Sequence, residues 1–102
     1  MNDKIELTRE QILFLKPGRE LDALVARKLF GVLNPDSRWR PSEDISAVWE
    51  VVEKMGDCLH LKQHGEQGEW EAWFCGYPNS KAHGETAPEA ICKAALLAVM
   101  GE

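Results

Sequence analysis

In SEDISAVWEVVEKM, Ser42 to Met55, apolar residues fall at Ile45, Val48, Trp49, Val52 and Met55, which is one stripe of a 3.6-residue helix. The ends agree with the stripe. Ser42 offers an N-cap oxygen, Glu43 and Asp44 sit at the positive end of the helix dipole, Lys54 lies near the negative end, and Gly56 is a stop. The core is expected to centre on Trp49, with Ile45, Val52, Leu59, Phe74, Ile91 and Ala95 around it.

Upstream, Met1 to Leu7 has no periodicity and is expected to be mobile at least in its first residues. Thr8 and Gln11 form a capping box that opens a short helix carrying Ile12, Leu13 and Leu15, ended by Pro17. A second helix is predicted from about Arg19 to about Leu33, with Leu21, Leu24, Val25, Leu29 and Val32 inward and Arg19, Asp22 and Arg27 outward. Asn34-Pro35-Asp36 reads as a turn, and Ser37 to Pro41 (SRWRP) as an irregular connection.

Beyond Gly56 the period changes from 3.6 to 2 around the glycine-bounded turn Gly65-Glu66-Gln67-Gly68, the pattern of a β-hairpin. Symmetric closure pairs Leu59 with Phe74, Leu61 with Ala72 and Gln63 with Trp70 on a core face. The other face pairs Cys58 with Cys75, His60 with Trp73, Lys62 with Glu71 and His64 with Glu69, the last two as charge pairs. Tyr77-Pro78-Asn79 breaks the second strand, and Ser80 to Gly84 leaves room for a short edge strand. Thr86-Ala87-Pro88-Glu89 then opens an alanine-rich helix with little polar surface apart from Lys93. The fold class is therefore α+β: a small antiparallel sheet packed with helices, in the order helix, helix, helix, three strands, helix, as one domain over residues 1–102.

The 102 residues carry a net charge of −5, and the basic residues do not cluster, so duplex DNA or RNA is not an expected partner. No signal peptide or long apolar run is visible, and the three cysteines are widely spaced. A soluble cytoplasmic protein with reduced thiols and no membrane contact is expected; Cys58 and Cys75 face each other in the hairpin, but such a setting keeps a pair reduced.

Candidate chemistry is sparse. Cys58-x-His60-x-x-x-His64 places metal-capable residues on one strand face, but the ammonium of Lys62 lies between them and no C-x-x-C pair exists, so no metal and no cofactor are expected. No nucleophile elbow or P-loop is present, and an enzyme is not expected. Two features remain. The hairpin face with His60, Lys62 and Trp73 is polar where a sheet enclosed by helices would be apolar, so a polar ligand, a partner subunit or water covers it. Trp39 between Arg38 and Arg40 either plugs the edge of the core or joins that surface.

Three segments, PGRELDALVARKLFG (Pro17 to Gly31), SEDISAVWEVVEKM and ETAPEAICKAALLAVM (Glu85 to Met100), resemble the phage ABA-sandwich domain in order and spacing. The resemblance implies helices packed on a small antiparallel sheet and a phage or prophage origin, and it carries over no activity or site. The order from Val48 onward is also similar to that of double-stranded-RNA-binding domains. Where those carry lysines at the last helix, this chain has Glu85, Thr86, Pro88 and Glu89, so the likeness stops at topology. The resulting expectation is a phage-encoded, non-enzymatic binding module that occupies a host protein or sequesters a nucleotide-like host signal as counter-defence. The rival is a structural protein that associates only with itself, and a homo-oligomer is expected on either reading.

Overall fold

The computed structural model describes residues 8–33, 35–56, 58–65, 68–77 and 79–100. The readings for Met1 to Leu7, Asn34, the turn residues Glu66 and Gln67, and Pro78 lie outside them. Among the described residues the chain runs α1 (Arg9–Phe14), α2 (Arg19–Phe30), α3 (Ile45–Met55), β1 (Leu59–Gln63), β2 (Trp70–Phe74), β3 (Ala82–Gly84) and α4 (Ala87–Met100). The strands form one antiparallel sheet in the order β1-β2-β3, so the α+β class and the element order are those predicted.

Helix α4 is the centre of the molecule. Its alanine-rich sequence leaves no broad polar face, and every position from Glu89 to Ala98 is buried. β2 and β3 cover it on one side, and α1, α2 and α3 pack on the rest of its surface. The approach to the sheet is close: a Cβ built on Gly84 of β3 would lie 2.8 Å from the backbone nitrogen of Ala90. Only a glycine permits α4 to lie this near the strand.

Lys93, expected at the surface, is 3% exposed. Its ammonium donates to Glu89 Oε2 at 2.6 Å and to the carbonyl of Leu13 at 2.9 Å, while Glu89 Oε1 accepts from the Glu85 N–H at 2.9 Å. The charge is thus paired and hydrogen-bonded rather than solvated, and it ties the end of α1 to α4.

The outer helices differ from expectation in ways that follow from packing on α4. In α3 the buried residues are Ala47, Val48 and Val51, while Trp49 is 52% and Ile45 48% exposed, so the core does not centre on Trp49. Small side chains face the alanine-rich helix because they permit close approach, and this rotates the bulky residues of the stripe outward. The cap is Asp44, whose carboxylate accepts from the Ser46 N–H. Ser42 is instead buried: its N–H donates to Asp22 Oδ1 at 2.8 Å and its hydroxyl accepts from the Gly18 N–H at 2.9 Å. Asp22, read as outward, thereby pins the entry of α3 to the start of α2, and burial pushes its carboxyl above the usual range. Helix α2 ends at Phe30, because Gly31 takes a left-handed φ of 68°, and Val32 lies beyond it in solvent.

The hairpin register is the predicted one, from Leu59 opposite Phe74 to Gln63 opposite Trp70. Ala72 and Phe74 are buried under α4, but Leu61 is 38% exposed, since β1 is an edge strand that overhangs the helix. Cys58 and Cys75, expected to be reduced, are joined as a disulfide with their Cα atoms 5.5 Å apart. Facing positions at the open end of a tight hairpin bring the two sulfurs within bonding reach.

Phe74→Ala should cost about 3–5 kcal/mol, because it empties a fully buried site between β2 and α4. Trp49→Ala should cost no more than about 1 kcal/mol in dilute protein, as expected for a substitution on a solvent-facing side chain. Urea unfolding midpoints of the two variants check this, and equal losses would restore Trp49 to the core.

Candidate functional site

The sheet has two unlike faces because neighbouring strand residues point oppositely. Ala72, Phe74, Ala82 and Gly84 lie against α4. His60, Lys62, His64, Glu71, Trp73, Lys81 and His83 belong to the other face, which no helix among the described residues covers.

Glu71 is the hub of this face. It sits on the central strand directly opposite His83, and it is the buried member of the group. Its Oε1 accepts from His64 Nε2 at 2.8 Å, and its Oε2 lies 3.2 Å from Lys81 Nζ and 3.5 Å from His83 Nε2. The hydrogen bond from His64 is the largest cause holding its carboxyl below the ordinary range; burial works against it, and Lys81 and His83 add to the lowering. The expected partners were different. Lys62 is opposite Glu71 in the register but makes no ion pair among the described residues, while His64 reaches Glu71 diagonally and meets Glu69 only through the backbone, at 2.9 Å.

Trp73 lies beside this cluster, half-buried between its cross-strand neighbours. The His60 imidazole stacks on it from β1, with ring centroids 4.9 Å apart and planes 6° from parallel. From the β3 side the ammonium of Lys81 lies 5.0 Å from the ring centre. Of the residues named from sequence, the structure therefore brings Trp73 and His60 into contact, with Lys62 on the same face. Glu71 was placed on this face from sequence, but Lys81 and His83 were missed. Carrying the pairing rule on to the third strand would have found them, since Lys81 and His83 flank inward-facing Ala82.

The SRWRP loop lies elsewhere, on the layer formed by α2 and α3. Trp39 packs edge-on against Phe30 of α2, with centroids 5.6 Å apart, and its indole N–H donates to Glu50 Oε1 of α3 at 3.0 Å. Arg38 pairs with Asp36 at 3.2 Å, and Arg40 with Glu43 at 3.9 Å. A cleft of about 660 Å³ opens here, with Arg19, Arg40 and Trp39 in its wall, but Glu20, Asp22, Asp36 and Glu43 line it as well. The two candidate surfaces are thus separate, and the cleft is the more acidic of the two.

Cys92 is buried, and desolvation, with Asp22 and Glu89 nearby, pushes its thiol well above the ordinary value, so it is a packing residue rather than a nucleophile. No helix among the described residues is long and apolar enough to cross a membrane.

Comparison with known proteins adds an origin. The model of a family described as the phage ABA sandwich domain matches residues 23–96. A crystal structure of a phage protein from Bacillus cereus ATCC 14579 superposes with a TM-score of 0.60 at 25% identity, covering 97% of this chain and 94% of that one. No curated protein matches the chain.

Because Glu71 is held below the usual carboxylate range, the stability it contributes is present above the ordinary glutamate range and is lost as pH falls through its lowered folded value. Glu71→Gln should therefore flatten the acid limb of a plot of urea midpoint against pH. An acid limb as steep as that of the parent protein would show that other carboxylates carry it.

Proposed function

The chain belongs to the phage ABA sandwich domain family, and on that premise we propose that it is a non-enzymatic binding module of the host cytoplasm that sequesters a nucleotide-like host signal on the open face of its sheet. The observation that supports this reading is the grouping of cation-capable side chains and an aromatic ring around the Glu71 carboxylate. In a protein of net charge −5, all three histidines and two lysines, Lys62 and Lys81, share one face with Trp73. Phosphate needs such cations, and a flat base needs an aromatic surface. His60 already holds a planar ring parallel to the indole, which is the position a base would take. Lys81, whose side chain is 53% exposed, can leave the other side of the ring and meet a phosphate. Occupation of a host protein through the same face is the related alternative.

A second reading, self-association, has an observation of its own. Helix α3 leaves Trp49 and Ile45, one turn apart on the same side, about half exposed, a pair of large apolar side chains that a second copy could bury. A homo-oligomer that buries this stripe is compatible with ligand binding on the sheet, because α3 and the open sheet face are different surfaces.

Thermal unfolding against a panel of mono-, di- and cyclic nucleotides tests the first reading. A ligand at a hundred times its dissociation constant should add about 2.7 kcal/mol of stability, and Trp73→Ala should abolish the shift while remaining folded. No shift with any member of the panel would remove the nucleotide reading. Light scattering tests the second: the parent protein should be oligomeric and Trp49→Asp monomeric, and a monomeric parent would refute it.

A further inference from the structure

We propose that His64, Glu71 and His83 form a binding site for a divalent first-row transition ion, with zinc as the best fit. His64 lies just past the end of β1, where its N–H still bonds across to Glu69, and Glu71 and His83 lie on β2 and β3, so the sheet sets their spacing. Their ligand atoms all lie within 4.8 Å of one another. His64 Nε2 is 2.8 Å from Glu71 Oε1, and His83 Nε2 is 3.5 Å from Glu71 Oε2. A tetrahedral ion with bonds of about 2.0–2.2 Å spaces its ligand atoms roughly 3.3–3.6 Å apart. Small rotations of two half-exposed imidazoles reach that spacing, while the carboxylate, fixed on the central strand, need not move.

The donor set also selects the ion. Two imidazoles and one carboxylate favour zinc and its neighbours over magnesium or calcium, which prefer shells of oxygen. Three protein ligands leave a fourth position on the open side of the sheet for water or an anionic atom. Lys81 opposes binding, since its ammonium now stands where the ion's charge would be, 3.2 Å from Glu71 Oε2. An arriving ion must displace it, and an exposed lysine on a four-carbon stem can swing to water. The nearby set of Cys58, His60 and Cys75 is as compact, but while its sulfurs are joined as a disulfide they offer no thiolate, so the disulfide form isolates the His64, Glu71 and His83 set.

The proposal stands apart from the nucleotide reading, because it requires no second ligand. Chelator-treated protein with its disulfide intact would be titrated with Zn²⁺ by calorimetry and with Co²⁺ by visible absorption. The expected result is one ion per chain, a Co²⁺ spectrum of tetrahedral intensity and a raised melting temperature. His64→Gln and His83→Gln should each abolish saturable binding, and His60→Gln should leave it unchanged, with circular dichroism showing all three folded. Lys81→Gln should tighten binding several-fold, an effect that a purely structural Glu71 network would not produce. Absence of stoichiometric binding, binding that survives His64→Gln and His83→Gln, or a Lys81→Gln variant that binds no more tightly would each overturn the site.

Discussion

Enclosure of α4 is the constraint on which the rest of the structure depends. A helix whose residues from Glu89 to Ala98 are all buried has no side to give to water, so it must be covered all round. The chain meets this demand with a sheet on one side and three helices on the rest, and the small residues of α4 draw each neighbour close. Gly84 permits the nearest approach, and Ala47, rather than Trp49, faces inward on α3 for the same steric reason. A charged pair inside, Glu89 with Lys93, persists because a peptide N–H and the Leu13 carbonyl complete its hydrogen bonds. Removing either partner alone would strand a buried charge, a loss of about 3–5 kcal/mol.

The same constraint shapes the candidate site. A single helix is narrower than three strands, so α4 covers β2 and β3 while β1 overhangs with Leu61 in solvent. Each strand spends its apolar residues on the covered side, and the alternation of the pleat then collects the polar ones on the other. That face has no helix to satisfy it and must satisfy itself. Glu71 does so by gathering His64, Lys81 and His83, and Trp73 by lying between His60 and Lys81. His60, His64, Glu71, Trp73, Lys81 and His83 are therefore each already in contact with a neighbour, and binding through them is an exchange of partners. Affinity at such a surface depends on how weakly the present contacts hold, which for half-exposed histidines and lysines is weakly.

How much of this was legible in the sequence depended on range. The Thr8 capping box, the glycine stop at Gly56 and the hairpin register are decided by residues a few positions apart or by strict alternation, and they could be read directly. The helix face of α3 could not, because the stripe of Ile45, Val48, Trp49, Val52 and Met55 and a face with Ala47, Val48 and Val51 are both apolar, and only the partner decides between them. Ser42 looked like a cap and Asp22 and Lys93 like surface residues for a related reason. Each is polar, and only contacts across 20, 24 or 80 positions reveal that its partner is inside the protein. Half of the site was visible in the hairpin. The other half, on β3, was hidden because three residues are too short a run to announce a strand's facing.

The disulfide bears on where the protein works but not on whether the face is formed. A cytoplasmic setting would hold Cys58 and Cys75 as thiols. Between these two residues the Cys75 N–H already donates to the Cys58 carbonyl at 2.9 Å, and the ladder continues at once with Leu59 opposite Phe74. Phe74 is fully buried beneath α4, so this end of the hairpin is anchored by packing and by backbone hydrogen bonds before any covalent link is counted. His60 and Trp73, one pair further in, keep their register with the sulfurs open or closed. The face thus follows from enclosing α4, and its chemistry is available on either side of the redox divide.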